Sequence, residues 1–466
     1  MFCISFLMPG LFLSSQVMAD TTGWYPQYAG TTGPLSCVSA VDSETVWVGG
    51  YESSPDEYAL MLRSVDGGST WTQSEYPTTP PLLTEVYKTY GIAGIDAATA
   101  WAGGEMVDDT AHDAGFLLGT TDGGSVWKKQ WGSTASVPTP ITSISAVDAQ
   151  IAWAAGSFGW AEGFIMKTTD GSNWSLSYGE IIGLPMLCGI AAVDANTVWA
   201  VGGQGLILKT TDGINWTNQD FYTTNTLRAV SAVDATNAWA VGDGGLIIHT
   251  TDGINWSQQD SGVTTDLTGI SAAKTTTAWA VGKGGVILKT GDGGATWTPQ
   301  QSGVTTDLNG VSAVDANTAW AVGDGGVVLH TTDGGAGPPP TVTSITPASG
   351  VRSAIAYITN LAGTGFKAGA TVRIEKTGTT NTATDVNVVS TTKITCKLTL
   401  TGTPLGKYDV VVKNPDYQEA RLTQGFSVTN VCGGGAAVSL SMFGIMMGLM
   451  SLAGSAGLRR RFRSKK

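Results

Sequence analysis

Short apolar stretches, separated by Gly, Asn and Asp, repeat along the chain with a period of about forty residues. The cleanest copy runs from Gly269 to Trp297. Its first tryptophan recurs seven times, at Trp47, Trp101, Trp153, Trp199, Trp239, Trp279 and Trp320. Each copy holds four short apolar stretches, enough for one four-stranded blade. The repeat therefore predicts an all-β chain with a seven-bladed β-propeller over residues 20–337.

The second tryptophan of the unit is missing from the seventh copy. It occurs six times, at Trp71, Trp127, Trp174, Trp216, Trp256 and Trp297. The segment Gly23–Gln27 parallels Thr296–Gln300, with Trp24 in the place of Trp297. Because an incomplete last blade leaves an open sheet edge, we predict that the N-terminal segment supplies the outer strand of blade seven. The alternative is that Trp24 is an isolated surface aromatic.

An aspartate follows the third apolar stretch in every copy. The seven residues are Asp66, Asp122, Asp170, Asp212, Asp252, Asp292 and Asp333. A short carboxylate of this kind caps the backbone of a hairpin turn, and the glycine after it accepts a positive φ. Seven carboxylates also suggest metal ligands or catalytic acids. We predict the structural role, because each occupies the same turn of a different blade and lies far from the others.

The two ends of the chain carry signals for export. Residues 1–19 are apolar and end at Ala19 in a small-x-small cleavage pattern, although the usual basic segment is missing. The signal peptide is therefore atypical, or the true start lies upstream. Residues 436–458 are uncharged and long enough to form a transmembrane helix. Because the basic tail at 459–466 follows at once, we expect the tail in the cytoplasm and the body outside.

Residues 431–435 form a short cysteine–glycine linker before the apolar segment. Together with the apolar segment and the basic tail, the linker resembles the C-terminal sorting tags of bacterial surface proteins. That resemblance implies processing near Cys432 and Gly433 at the cell envelope. The alternative is a plain membrane anchor with a glycine hinge. The other cysteines do not suggest a disulfide framework, because Cys37 and Cys188 fall on opposite sides of the predicted ring.

The composition changes after the proline run at 338–340, where Thr and Val replace Trp. Residues 338–430 resemble an IPT/TIG domain, an immunoglobulin-like β-sandwich. The resemblance rests on the segments Val342–Gly350, Leu361–Phe366, Ala370–Ile374, Gly406–Val412 and Phe426–Val428. Alternation at Tyr408, Val410 and Val412 independently predicts a half-buried strand. We expect this domain to act as a spacer between the propeller and the anchor.

The repeated unit is similar to that of the photosystem II stability and assembly factors, which are seven-bladed Asp-box (BNR) propellers. The pattern A-V-D, A-W-A-V-G, T-D-G-G and W carries the resemblance through residues 20–337. It implies a non-enzymatic protein that helps to assemble a membrane complex through an arginine-lined surface. The predicted propeller has only two arginines, Arg63 and Arg228. We therefore expect the fold and the non-catalytic character, without the photosystem partner.

Charge narrows the classes of function. The chain has 37 acidic and 25 basic residues, and six of the basic ones lie in the tail at 459–466, leaving a net charge of −18 elsewhere. This negative charge outside the tail argues against nucleic-acid binding, because the phosphate backbone is also negative. Asp-box propellers include sialidases, which hold a substrate carboxylate with three arginines, and two arginines cannot form that triad. A glycan-binding or glycan-hydrolysing propeller with two opposed carboxylates is the alternative function.

The loops between the second and third strands provide the candidate binding site. They are short in blades four to seven and longer in the first three blades. The candidates are Tyr51, Glu57 and Tyr58 in blade one, Asp108, Asp109 and His112 in blade two, Trp160 and Glu162 in blade three, and Tyr90 in the first connection. Aromatic and acidic loops on one face suit an envelope protein or a glycan. Carboxylates beside His112 also suit Ca²⁺, and variable solvated loops remain the alternative. We expect no cofactor.

Overall fold

The computed structural model describes residues 23–52, 58–76, 86–107, 114–132, 139–159, 162–179, 185–219, 221–337, 339–367, 369–414 and 418–430. Its contacts divide the chain at Pro340 into two compact units. The first unit contains seven four-stranded antiparallel sheets, and the second contains two further sheets.

The strands of the first three blades are β2 (Leu35–Ala40), β3 (Thr45–Tyr51), β4 (Ala59–Val65) and β5 (Thr72–Tyr76); β6 (Val86–Gly94), β7 (Ala100–Val107), β8 (Ala114–Thr120) and β9 (Lys128–Gly132); β10 (Ile141–Ala146), β11 (Ala152–Phe158), β12 (Glu162–Thr168) and β13 (Trp174–Tyr178). Those of blades four to six are β14 (Leu187–Ala192), β15 (Val198–Gly202), β16 (Ile207–Thr210) and β17 (Trp216–Asn218); β18 (Leu227–Ala232), β19 (Ala238–Gly242), β20 (Ile247–Thr250) and β21 (Ser257–Gln259); β22 (Leu267–Lys274), β23 (Thr277–Gly282), β24 (Val286–Thr290) and β25 (Thr298–Gln300). Blade seven contains β26 (Leu308–Ala313), β27 (Ala319–Gly323), β28 (Val327–Thr331) and the N-terminal β1 (Tyr25–Gln27).

The first strands of the seven sheets form a closed ring. Each inner strand contacts the inner strand of the next blade, and β26 contacts β2. Serine side chains connect these strands: the Ser312 hydroxyl accepts a hydrogen bond from the Ala40 backbone N–H at 3.0 Å, joining blade seven to blade one. In the same way, the Gly94 backbone N–H donates a hydrogen bond to the Ser39 hydroxyl at 3.1 Å, joining blade two to blade one. The first unit is therefore a seven-bladed β-propeller.

The N-terminal strand completes the last blade. β1 pairs antiparallel with β28, placing Tyr25 opposite His330 and Gln27 opposite Val328. Trp24 is only 7% exposed and packs in the cluster around Trp279. The alternative of an isolated surface aromatic is therefore wrong.

Tryptophans fill the gaps between blades. The first tryptophan of every blade is at most 2% exposed. At three boundaries the second tryptophan of the next blade meets it edge to face: Trp47 and Trp127 (5.9 Å between centroids), Trp153 and Trp216 (5.8 Å), and Trp320 and Trp71 (6.0 Å). Such contacts add to the free energy from buried area, so each blade boundary has its own hydrophobic core.

The repeated aspartates cap turns. The Asp66 carboxylate accepts hydrogen bonds from the backbone N–H and the hydroxyl of Thr70, and these bonds lower the pKa of Asp66. A second set, not anticipated from the sequence, caps the hairpin between the first and second strands: Asp42, Asp96, Asp148, Asp194, Asp234 and Asp315. Much of the propeller's acidic composition therefore serves its turns.

The second unit is a β-sandwich. One sheet holds β29 (Thr341–Thr346), β31 (Ile355–Thr364), β35 (Lys393–Thr399) and β34 (Thr384–Ser390); the other holds β30 (Ser349–Val351), β37 (Glu419–Thr429), β36 (Gly406–Lys413), β32 (Thr371–Lys376) and β33 (Thr379–Thr382). Tyr408, Val410 and Val412 are fully buried in its core, as their alternation predicts. The Tyr408 hydroxyl donates to the Pro404 carbonyl at 2.6 Å, like the tyrosine corner of immunoglobulin-like folds.

Several predictions fall outside the described residues: the signal peptide at 1–19, the linker at 431–435, the helix at 436–458 and the tail at 459–466. Within the described part of the chain, no helix is long and apolar enough to cross a membrane.

Candidate functional site

The face formed by the second loops differs between the two halves of the ring. In blades four to seven these loops are three-residue 3-10 turns at Gly203–Gly205, Asp243–Gly245, Lys283–Gly285 and Asp324–Gly326. In blade two the hairpin continues to the pair Met106–Ala114, and in blade three to Phe158–Glu162. The predicted asymmetry of this face is therefore present in the strands themselves.

Two of the predicted contact residues, Tyr51 and Tyr90, flank one ion pair at the boundary of blades one and two. The Lys88 ammonium lies 5.6 Å from the ring centroid of Tyr51 and 3.5 Å from the Glu105 carboxylate. The Tyr90 hydroxyl donates a hydrogen bond to the same carboxylate. We call Tyr51, Lys88, Tyr90 and Glu105 the loop-face cluster. The side chains of Lys88 and Glu105 are 29% and 13% exposed, so the ion pair is partly shielded from water.

Tyr58 and Glu162 are the other two candidates among the described residues. Tyr58 is half-buried, and its carbonyl accepts a hydrogen bond from the Glu52 N–H at 3.1 Å. Glu162 begins β12 in blade three and is also half-buried. The remaining candidates, Glu57, Asp108, Asp109, His112 and Trp160, lie outside the described residues.

Two tyrosines flank the connection between blades one and two, and both are half-buried against the core between these blades. The rings of Tyr76 and Tyr87 meet at 5.8 Å, and both lie about 6 Å from Phe116. The connection continues as strand β6, which packs Tyr87 against the cluster between the two blades.

A bulge at the start of each inner strand creates a polar ring that sequence reasoning missed. The register shifts by one residue at the same place in all seven blades. The bulged residues are Ser36, Tyr90, Thr142, Cys188, Arg228, Thr268 and Asn309, and all are half-buried. We call them the mouth ring, because the inner strands of a propeller surround its central channel. In six blades the bulged residue follows a leucine or isoleucine, and in blade two it follows Thr89, so the sequence carries only a partial signal for this ring.

Several mouth-ring side chains bond to the next blade. The Asn309 amide donates to the Leu35 carbonyl at 3.0 Å, and the Thr142 hydroxyl donates to the Leu187 carbonyl at 2.9 Å. Arg228 instead contacts Asp243 and lies 3.8 Å from Asp266, so its charge is paired. The described propeller therefore lacks an arginine-lined face, as the sequence predicts.

A second missed feature places several of the propeller's basic residues at one repeated position. The third-strand position opposite the buried tryptophan holds Arg63, Gly119, Lys167, Lys209, His249, Lys289 and His330 in blades one to seven. The Lys209 ammonium lies 4.4 Å from the Trp199 ring centroid and donates to the carbonyls of Ala235 and Gly253 in the next blade. Burial lowers the pKa of Lys209. Six of these seven residues are cationic or imidazole side chains placed between blades.

The two histidines at this position stack on their tryptophans. The ring centroids of His249 and Trp239 are 3.9 Å apart, and those of His330 and Trp320 are 3.7 Å apart. Burial lowers the pKa of each imidazole to about 4. Both histidines are therefore neutral at pH 7.

Metal and thiol chemistry have little support in the described residues, where no group of three or more His, Cys, Asp or Glu residues could hold a metal ion. Cys37, Cys188 and Cys396 are free thiols there. Burial raises the pKa of Cys188 to about 11 and that of Cys396 to about 12, which disfavours the reactive thiolate.

Comparisons with known proteins agree with this architecture. Residues 340–429 match the IPT/TIG domain, so the class is a seven-bladed Asp-box propeller followed by an immunoglobulin-like domain. Residues 253–339 match the family described as photosynthesis system II assembly factor YCF48. The resemblance to this family is thereby confirmed for the last repeats of the propeller.

Two solved structures of YCF48 are similar to this chain, and the first of them shows the same fold. A structure of YCF48 bound to a D1 peptide is 19% identical, with 67% of this chain and 98% of that chain covered and a TM-score of 0.51. YCF48 from Cyanidioschyzon merolae is 19% identical, with 66% and 98% covered and a TM-score of 0.47. No curated protein matches this chain.

Proposed function

We propose that this protein is a non-enzymatic binding or assembly-scaffold protein that holds a protein partner on the face carrying the loop-face cluster. The cluster itself is the observation that carries the proposal. It joins Tyr51 of blade one to Tyr90 of blade two through the Lys88–Glu105 ion pair. Tyrosine is enriched at the energetic centres of protein interfaces.

The nature of the partner is inferred from a similar fold. The YCF48 structure described above contains a D1 peptide, which supports a polypeptide as the kind of ligand that such a propeller holds. The arginine-lined surface expected for the family has no counterpart among the described residues here, because Arg63 lies 5.6 Å over the Trp47 ring and Arg228 pairs with Asp243. The proposed partner is therefore a protein other than the photosystem subunit.

The proposed place of action is the outside of the cell membrane. The apolar segments at 1–19 and 436–458 and the basic tail at 459–466 support export followed by tethering. Cell fractionation, N-terminal sequencing and mass measurement of the mature chain test this directly. A mature protein that starts near Asp20 in the envelope fraction is expected, and an intact soluble chain would contradict the tethering.

A photo-crosslinking experiment tests the binding role. A benzophenone amino acid replaces Tyr51 in the full chain, and a matched chain carries it at Tyr222, which is 95% exposed in the connection from blade four to blade five. We expect one envelope protein to crosslink from position 51 and not from position 222. Tyr90→Ala in the first chain should abolish the product.

Equal crosslinking from both positions would contradict a specific binding face. The glycan alternative is checked in the same extracts by measuring released oligosaccharides with and without the protein. Sugar release that depends on the protein would make it an enzyme and overturn the proposal.

A further inference from the structure

His330 links the closing strand to the boundary between the last and first blades. Its ring is 3% exposed and stacks on Trp320, and its Nδ1 lies 3.0 Å from the Tyr25 hydroxyl. Tyr25 belongs to β1, the only strand of the propeller that comes from the N-terminal side of blade one. Trp320 in turn meets Trp71 of blade one edge to face. One imidazole thus contacts the elements on which ring closure depends.

The equivalent lysines show what a cation needs at this position. The Lys289 ammonium donates to the Ala316 and Gly334 carbonyls across the blade boundary, at 2.8 and 3.0 Å. An imidazole is shorter than a lysine side chain. Although His330 is buried, its Nε2 has no hydrogen-bond partner among the described residues. A neutral imidazole carries one ring proton and a protonated imidazole carries two, whereas the described residues offer this ring only one hydrogen-bond partner, the Tyr25 hydroxyl.

We propose that protonation of His330 opens the propeller by loosening the N-terminal strand from blade seven. The neutral ring suits its surroundings, with one nitrogen paired to the Tyr25 hydroxyl and its face on Trp320. A protonated ring carries a buried charge, and its Nε2–H finds no acceptor within reach. Burying an unpaired charge is costly, and release of the short strand β1 exposes the ring to water.

The neighbouring charges do not offset this cost. From its own blade, His330 faces the turn of Asp333, whose carboxylate accepts hydrogen bonds from Gly335 and Gly23. By the repeat geometry, Asp66 and Asp42 lie in the blade-one turns across the boundary, and both carboxylates are bound to their own backbone. Tyr25 is the titratable group on β1, and the contacts on Trp320 are aromatic. No described carboxylate makes a direct hydrogen bond to the imidazole.

The size of the effect follows from the two protonation states. Burial lowers the pKa of His330 to about 4 in the closed ring, and a solvated histidine titrates near 6.5. The open form should therefore gain on the order of twentyfold in population between pH 7.5 and pH 5. The gain saturates only as the pH falls through the pKa of the closed ring.

Hydrogen exchange of the full chain, analysed by mass spectrometry, tests the proposal. The measured quantity is the protection of peptides covering residues 23–29 at pH 7.5 and pH 5, corrected for the intrinsic pH dependence of exchange. We expect protection to fall by about twentyfold in the native chain. His249→Gln is the matched control, because His249 stacks on Trp239 in a blade that β1 does not enter, and it should respond like the native chain.

Two substitutions of His330 make the test decisive. His330→Gln should show the same protection at both pH values, because it cannot be protonated. His330→Lys, the residue of blades three, four and six, carries a constant charge and should also be insensitive to pH if the glutamine variant folds poorly. Equal protection of the native chain at both pH values, or an equal loss of protection in the His330 variants, would overturn the proposal.

Discussion

The backbone N–H of Gly23 donates a hydrogen bond to the Asp333 carboxylate at 2.7 Å, across 310 residues of sequence. In blade six the Asp292 carboxylate accepts the equivalent bond from Thr296, the residue just before Trp297. Gly23 likewise comes just before Trp24. The N-terminal segment thus supplies what the seventh repeat lacks: its outer strand, its second tryptophan and the N–H group that bonds to the Asp-box carboxylate.

Trp24→Ala should destabilise the whole propeller. The indole is 7% exposed in the core between blades six and seven, and truncating a buried tryptophan costs about 3–5 kcal/mol. Chemical denaturation followed by far-ultraviolet circular dichroism measures the loss. Tyr28→Ala is the control, since Tyr28 lies four residues away and is 87% exposed. Equal stability of the two variants would mean that closure by β1 contributes little.

Lys209→Met should weaken the boundary between blades four and five. The substitution keeps most of the aliphatic stem over Trp199 and removes the donor to the Ala235 and Gly253 carbonyls. A hydrogen bond that involves a charged group contributes about 1.5–3 kcal/mol, and the Gly253 carbonyl keeps the bond that it accepts from the Gln219 amide. Lys283→Met is the comparison, because Lys283 is 50% exposed and pairs only with Asp266. We expect at most a few tenths of a kcal/mol there, and a comparable loss at both sites would count against a special role for Lys209.

Asp66→Ala should lower stability without affecting partner binding. The carboxylate holds Thr70 in the turn through two hydrogen bonds, and the loss of a turn cap costs about 1 kcal/mol. Asp66→Asn should retain part of this stability, because the amide oxygen still accepts one hydrogen bond. Denaturation midpoints and the crosslinking yield from position 51 are the two readouts. A catalytic or binding role for the Asp boxes would instead appear as lost binding at unchanged stability.

Asp234 should contribute to stability only above strongly acidic pH. Hydrogen bonds from the side chains of Asn237 and Thr236 lower the pKa of Asp234 to about 2 in the folded state. An unfolded aspartate titrates near 3.9, so the contribution is complete above pH 4 and disappears as the pH falls through 2. The stability difference between the native chain and Asp234→Leu should therefore shrink between pH 4 and pH 2. A difference that stays constant over this range would contradict the assignment.

Lys88→Met should reduce partner binding by about tenfold with little change in stability. The ammonium is shared between the Tyr51 ring and the Glu105 carboxylate and is partly exposed. Affinity for the crosslinked partner, measured by calorimetry, gives the first readout and the melting temperature the second. Lys128→Met, at an exposed position of the outer strand β9, serves as the matched substitution. Unchanged affinity would place the binding site away from the loop-face cluster.

The sequence predicts the propeller well because each unit repeats the same local signals. Trp47 and its counterparts mark the second strand, and Asp66 and its counterparts mark the turn after the third. Trp24 could be assigned because its neighbours Pro26 and Gln27 match Pro299 and Gln300. These positions are predictable because the residues that mark them are close to one another in the sequence.

Contacts between neighbouring blades were harder to predict. Lys209 and His330 occupy the same structural position, but in the sequence they look like unrelated basic residues near a turn. Tyr87 and Tyr90 are three residues apart, yet one packs on Phe116 and the other bonds to Glu105. Their directions depend on a bulge between Thr89 and Gly91 and on the neighbouring sheet, which a single sequence does not show.

The meeting of the propeller's two ends allows the chain to be circularly permuted. A side chain added to Gly23 would come within 3.1 Å of the Gly337 Cα atom, so a short peptide can join the ends without distorting the ring. The new termini can then be placed in the connection after any blade. Each such permuted chain should still fold into the native seven-bladed propeller. A permuted propeller would carry β1 and blade seven on one continuous segment, which would remove the dependence of the ring on its first residues.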